Sequence, residues 1–191
     1  MLSGACPSSK LGTMKSALVP FLIFFILQRP GQPAIRIPDL ESRVHTLINK
    51  ERTSRNLSAL QFDDKLAKIA RTHSQDMARR NFFSHVNPDG QGPTARGEVA
   101  GYTCRKVSGN RITEGLAENI YQGNLYSRIR IRGAEKSYDW NSAEKIATDG
   151  VTGWMNSTGH RRNILEKTYQ KTGIGISVSK DDKVYITQVF C

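Results

Sequence analysis

The sequence predicts an α+β domain with helices first and strands last. Three observations carry the prediction. Apolar residues recur every three or four positions through residues 40–48 and again through 66–77, the repeat of a helix with one buried face. A third helical stretch runs from Ser142 to Asn156. From Thr172 to Phe190 the repeat shortens to two, as a half-buried strand requires. Helices followed by strands imply helical layers packed on an antiparallel sheet.

The N-terminus stands apart from that pattern. Lys10 and Lys15 precede an apolar run of eleven residues, Ala17 to Leu27. A bilayer-spanning helix needs about 20 residues, whereas a signal-peptide core is this short. Met14 is an alternative start, and small and polar residues follow at Gly31–Ala34. Residues 1–33 are therefore read as a signal peptide, or an uncleaved membrane anchor, plus a linker marked by Pro30 and Pro33. Residues 34–191 are read as one domain, secreted or held facing outside the cell.

The elements follow in order. Leu40, Val44, Leu47 and Ile48 give a first helix ending near Asn56. A connector, LSALQFD, leads to Asp63 or Asp64, either of which can cap a second helix over 65–80. That helix carries Leu66, Ile69, Ala70, His73 and Met77 on one face and stops around Asn81. Phe82 to Gly115 is rich in Gly, Pro, Asn and Asp and reads as loop, with one short strand in AGYTCRKV. AENIYQGN, from Ala117, is a compact apolar piece between turns. SRIRIRGAEK, from Ser127, has arginine at every second position: a strand with one basic face, or a solvated loop. Ala143, Ile146, Ala147, Val151 and Trp154 support the third helix, although Gly150 and Gly153 oppose it. Ser157 or Thr158 can cap a short fourth helix carrying His160 and Ile164. The end forms a hairpin turning at Lys180–Lys183.

The chain carries a net charge of +11. Removing Lys10, Lys15 and Arg29 from 28 basic side chains leaves 25 against 17 acidic ones, a net +8 for the domain. Such a balance suits an acidic partner. No RNA- or DNA-binding signature accompanies it, so no nucleic acid is expected. A basic membrane-surface protein is an alternative that rests on charge and RIRIR. Cys6 departs with a cleaved leader, which leaves Cys104 and Cys191 to pair in an oxidising compartment. Asn56 (NLS) and Asn156 (NST) are glycosylation acceptors if the host modifies them.

Of the four histidines, His45 is read as a surface or half-buried residue and His73 as a hydrogen-bonded core residue. His85 and His160 lie among turn residues, where functional groups are mounted. Glu118 sits between apolar neighbours, and a carboxylate there needs a partner. Two imidazoles and a carboxylate are the ligand types of a catalytic zinc site, although no short HExxH spacing is present.

HSQDMARRNFFSHVNPDG, GLAENIYQGN, GWMNSTGHRRNIL and GIGISV…YITQVF occur in that order. Together they resemble the short, microbial-type SCP domain of the CAP superfamily, which includes cysteine-rich secretory, antigen 5 and pathogenesis-related proteins. The resemblance spans about residues 40–191. It implies an α-β-α sandwich with a central cleft that displays two histidines and two glutamates able to hold a divalent metal, often zinc. By position the set is His85, Glu118 and His160. Where larger members have the second glutamate, three residues after a tryptophan, this chain has Ser157 after Trp154. Ser84, Asn119 and Ser157 are expected to line the cleft, with Trp154 closing the third helix against the core. Arg161 and Arg162 are expected to be solvated or paired, and Asn163 to bond backbone.

The expected function is a secreted, non-enzymatic domain that binds zinc or another divalent metal, a small hydrophobic ligand such as a lipid, or an extracellular protein. The alternative is a hydrolase with Ser84 or Ser157 as nucleophile, or a metal-bound water, acting with Glu118. No GxSxG elbow supports that alternative. A sugar on Asn156 would crowd the cleft mouth, so that acceptor is expected to be unused if His160 works. The apolar N-terminal run offers a further route to membrane association.

Overall fold

A computed structural model of the chain describes Met1 and residues 31–191, with backbone alone at 107, 108 and 111. The expected leader, its apolar run and Cys6 lie outside the described residues. Residues Gly31–Cys191 form one compact unit. Among the described residues no helix is long and apolar enough to cross a membrane.

Helix α1 (Ile37–Thr53) starts at a proline in its first turn and buries Leu40, Val44 and Ile48. Helix α2 (Asp64–Arg80) is capped by the Asp63 carboxylate, which accepts from the backbone N–H groups of Lys65 and Leu66 at 3.0 Å each. It ends at Asn81, whose φ of 52° is the left-handed conformation asparagine tolerates at a helix terminus. The connector between them contributes a two-residue strand, β1 (Gln61–Phe62). The stretch read as loop contains a further helix, α3 (Pro93–Val99), and a hairpin of β2 (Arg105–Ser108) and β3 (Arg111–Glu114). Strand β4 (Ala117–Asn124) follows, then the hairpin β5 (Tyr126–Arg132) and β6 (Glu135–Trp140). Helix α4 (Ala143–Asn156) is capped by the Ser142 hydroxyl, and α5 (Thr158–Leu165) follows after Ser157. Strands β7 (Lys171–Val178) and β8 (Lys183–Phe190) close the chain.

The main sheet has the order β1-β7-β8-β4. It is antiparallel from β7 to β4, but β1 joins β7 in parallel. That single parallel pair departs from the fully antiparallel expectation. β1 needs only two residues to satisfy the backbone beside β7, too few to show a period in the sequence.

Helices pack on both faces, which gives the α-β-α sandwich. On one face α1, α4 and α5 bury Val44, Ile48, Trp154 and Ile164 against Ile174, Ile176, Ile186 and Phe190. On the other, α2 buries Leu66, Ile69, Ala70 and Met77 against Val189, Ile120 and Tyr185. Each of the buried Val, Leu, Ile, Met and Phe side chains contributes roughly 1.5–3 kcal/mol by leaving water. Helix α2 lies so close to β7 that a Cβ on Gly173 or Gly175 would fall 2.0 Å from the backbone nitrogen of Ala67 or Arg71. Gly150 has a similar reason to interrupt α4. A Cβ there would meet Ile186 at 3.2 Å and the Tyr121 ring at 3.6 Å, so the helix gives up propensity for contact with the sheet. Cys104 and Cys191 are bonded, with Cα atoms 5.6 Å apart, and tie the chain end to the start of β2.

Candidate functional site

The site is built on β4 because β4 is the edge of the main sheet. Alternation along a strand sends successive side chains to opposite faces. Glu118 therefore points into the layer of α2 and α3, and Asn119 into the layer of α4 and α5. Each holds a histidine of its own layer. The two histidines meet past the sheet edge, over a cleft of about 550 Å³. Phe83, Ser84, His85, Tyr121, Ser157 and His160 are among its lining residues.

His85 lies in the segment after α2. Its Nδ1 is 2.9 Å from Glu118 Oε1. A carboxylate can only accept, so Nδ1 carries the proton and the neutral ring keeps its lone pair on Nε2. The other oxygen, Oε2, takes a charge-assisted bond from Arg96 Nη2. The Glu118 side chain is 1% exposed and the Arg96 side chain 7% exposed. This is a buried ion pair, stable only when geometry and further hydrogen bonds offset desolvation. Arg96 Nη1 also donates to the carbonyls of His85 and Gln91, at 2.8 and 2.7 Å. Helix α3 delivers Arg96, and sequence reading missed both. The available signals were the Gly92–Pro93 start, with proline suited to a first helical turn, and the need of Glu118 for a cation.

His160 sits in the first turn of α5. The Asn119 amide donates to the His160 carbonyl at 3.1 Å. Asn163 donates to the Glu118 carbonyl and to Asn119 Oδ1, at 3.2 and 2.9 Å, so it bonds backbone as expected. The His85 and His160 rings are 6.1 Å apart, centroid to centroid. Burial lowers the His160 pKa, and the neighbouring His85 lowers it further. Both effects favour the neutral imidazole, the form that binds metals.

Ser84 and Ser157 line the cleft, but Asn119 is fully buried and fixes α5 rather than forming the wall. The Ser84 hydroxyl accepts from the Val86 N–H at 3.2 Å. Among the described residues neither serine hydroxyl is bonded to an imidazole. His73 is fully buried, donates from Nε2 to the Ser84 carbonyl at 2.9 Å, and lies 3.9 Å from Glu118. Burial lowers its pKa against the opposing pull of Glu118. His45 bonds the Leu60 carbonyl at 3.0 Å, outside the site. Trp154 is 1% exposed and donates to the Ile120 carbonyl. Arg161 bonds the Met155 carbonyl. Asn56 has a φ of 58° just after α1, and Asn156 is exposed at the end of α4.

No three His, Cys, Asp or Glu side chains among the described residues converge on one metal position. Both Glu118 oxygens are engaged, which explains why the triad of His85, Glu118 and His160 is not such a group. His85 and His160 both line the cleft, with Glu118 bonded to His85.

The pattern of a known family, described as the cysteine-rich secretory protein family (CAP), matches residues 45–190. The protein YkwD of Bacillus subtilis is 31% identical over 135 residues, covering 71% of this chain and 41% of its own length. The membrane protein YlbC of the same organism is 29% identical over 150 residues, covering 78% of this chain and 34% of its own. The chain thus spans well under half the length of these relatives. Among solved structures, an extracellular SCP-domain protein of Bacillus anthracis superposes with a TM-score of 0.57 at 25% identity, covering 81% of this chain and 40% of that one. An outer surface protein of Borrelia burgdorferi gives 0.60 at 17% identity, covering 82% and 94%, and supports the fold.

Proposed function

Because the chain belongs to the cysteine-rich secretory protein (CAP) family, we propose that it is a non-catalytic, extracellular-type binding domain whose cleft holds a divalent metal ion, zinc foremost, between His85 and His160. One observation carries this reading. The Glu118 contact holds the proton of His85 on Nδ1 and leaves its Nε2 lone pair unused by Glu118, the carboxylate–histidine pairing that orients metal ligands. Glu118 is assigned the orienting role and not direct ligation, since Arg96 and His85 take its oxygens. With Ser157 in the fourth position, two imidazoles leave the remaining places of a four-coordinate ion to water or a bound molecule. Binding is correspondingly weaker than at a site of four protein groups. An ion held there would act as a Lewis acid toward whatever enters the cleft.

Phe83, Ile120, Tyr121 and Trp154 give the same cleft an apolar floor, which suits a small hydrophobic ligand beside the ion. Serine-dependent hydrolysis is the less favoured reading, because among the described residues no serine hydroxyl is bonded to a histidine. The Cys104–Cys191 bond supports an oxidising, extracellular setting.

Differential scanning calorimetry with added zinc tests the proposal. The melting temperature should rise with zinc in the intact protein, and the rise should vanish in His85→Ala with His160→Ala. Absence of any zinc-dependent shift in the intact protein would overturn it.

A further inference from the structure

Among the described residues, two buried side-chain atoms have no hydrogen-bond partner within the protein: His73 Nδ1 and Arg96 Nε. A buried polar group costs free energy unless it is bonded, so each of these atoms calls for a partner. Both belong to residues that line one cavity, of about 380 Å³. It lies among α2, α3 and the segment 87–91. It shares no lining residue with the cleft of His85 and His160. Its volume falls within the range of small-molecule sites, roughly 300–1,000 Å³.

The two atoms need opposite partners. His73 is fully buried, and its Nε2 faces the Ser84 carbonyl at 2.9 Å. That carbonyl only accepts, so Nε2 carries the proton and the neutral ring offers Nδ1 as an acceptor. Arg96 Nε–H can only donate, and the Nη groups of Arg96 are committed to Glu118, His85 and Gln91. A molecule that satisfies both atoms must therefore donate and accept. A bare anion accepts only and an ammonium donates only, whereas hydroxyl groups do both. The rest of the wall agrees. Asp76 bonds Arg79 and Arg80 at 3.0 and 3.5 Å, and Asp89 bonds Arg80 at 2.6 Å. With Glu118 on Arg96, each wall arginine already has a carboxylate. Among the described residues, Lys68 is the one wall cation without such a partner. Ile69 and Val99 add apolar surface.

We propose that this cavity binds a neutral, hydroxyl-rich molecule, a sugar or polyol. One hydroxyl donates to His73 Nδ1 and one accepts from Arg96 Nε. The paired acids and arginines of the wall meet further hydroxyls, and Ile69 and Val99 face the C–H surface of the ligand. A few placed polar groups in a partly apolar pocket fix orientation. A site built around buried polar atoms also rejects molecules that lack the matching hydroxyl. A free sugar and the end of a glycan share this chemistry. The inference goes beyond the metal reading of the neighbouring cleft and does not depend on it.

Nuclear magnetic resonance on the isotopically labelled full chain tests this, with the Arg96 side-chain Nε–H signal as reporter. Glucose and myo-inositol serve as free ligands, methyl α-glucoside, methyl β-glucoside and methyl N-acetyl-β-glucosaminide as glycan ends, and inorganic phosphate as an anion. At least one sugar or polyol should move the Arg96 signal saturably in the absence of zinc, and phosphate should not. A response to the free ligands alone, or to the methyl glycosides as well, separates the two sources. Thr72 is exposed on α2 and lines the cavity, so Thr72→Trp should fill the space, leave the core intact and abolish the shift. His73→Gln keeps a donor for the Ser84 carbonyl but lacks Nδ1, and should weaken binding by about tenfold. No saturable shift with any of the sugars or the polyol, a response to phosphate at least as strong, or a shift unchanged in Thr72→Trp would overturn the proposal. The comparison of probes on the unaltered chain can overturn it even if a variant misfolds.

Discussion

Replacing Glu118 with alanine tests the buried pair that organises the cleft. The change removes a carboxylate that is 1% exposed and strands the Arg96 guanidinium, 7% exposed, without its counter-charge. Breaking one partner of a buried ion pair costs about 3–5 kcal/mol. Arg96 keeps the carbonyls of His85 and Gln91, which places the expected loss near the lower end, about 3 kcal/mol. For a domain of this size each kcal/mol moves the melting temperature by roughly 2–4 °C. Calorimetry should therefore show a drop of roughly 6–12 °C. A companion variant separates burial from charge. Glu118→Leu with Arg96→Met should recover much of the loss, because an apolar pair of similar volume replaces a buried ion pair at little cost. If Glu118→Ala melts within about 1 °C of the intact protein, or the double variant is no better than the single one, the two side chains are not the mutually dependent pair described.

Gly175→Ala should destabilise by about 3 kcal/mol or more, or prevent folding, since the new Cβ would overlap the α2 backbone at 2.0 Å; a near-neutral denaturation midpoint would contradict the packing described. The Cys104–Cys191 bond closes a loop of 87 residues in separation, so Cys104→Ala with Cys191→Ala should lose up to about 4–5 kcal/mol in urea unfolding, whereas no change would show the bond to be dispensable. Burial, and for His160 the adjacent His85, lowers the pKa of His73 and His160 below 6.5. The unfolded chain then takes up protons first as pH falls, so stability is complete above about 6.5 and declines as pH drops toward the lower folded values. Melting temperatures measured across that window should fall with acid and fall less steeply in His160→Asn; a flat profile would contradict the shifts.

The long helices and the terminal hairpin were legible because period and caps agree: Asp63 and Ser142 sit where the apolar repeat begins, and Asn81 where it stops. Strand β4 read only as an apolar piece because both its faces are buried, so Glu118 and Asn119 interrupt rather than alternate with the apolar residues. Helix α3 is seven residues long and set among turn residues, too short to show a period. Histidines 85 and 160 stood out through their loop settings and the resemblance. Arg96 did not, because its role depends on a partner 22 residues away in sequence that only the fold brings near. The division of labour between Glu118 and Asn119 was also hidden, since it follows from β4 being an edge strand.

The most direct measurement of the metal site is anomalous diffraction from crystals grown with zinc. One peak is expected between the rings of His85 and His160, about 2.0–2.1 Å from a nitrogen of each, with Glu118 still bonded to Arg96. A cleft without a peak, or an ion bound directly by Glu118 with Arg96 displaced, would contradict the assignment.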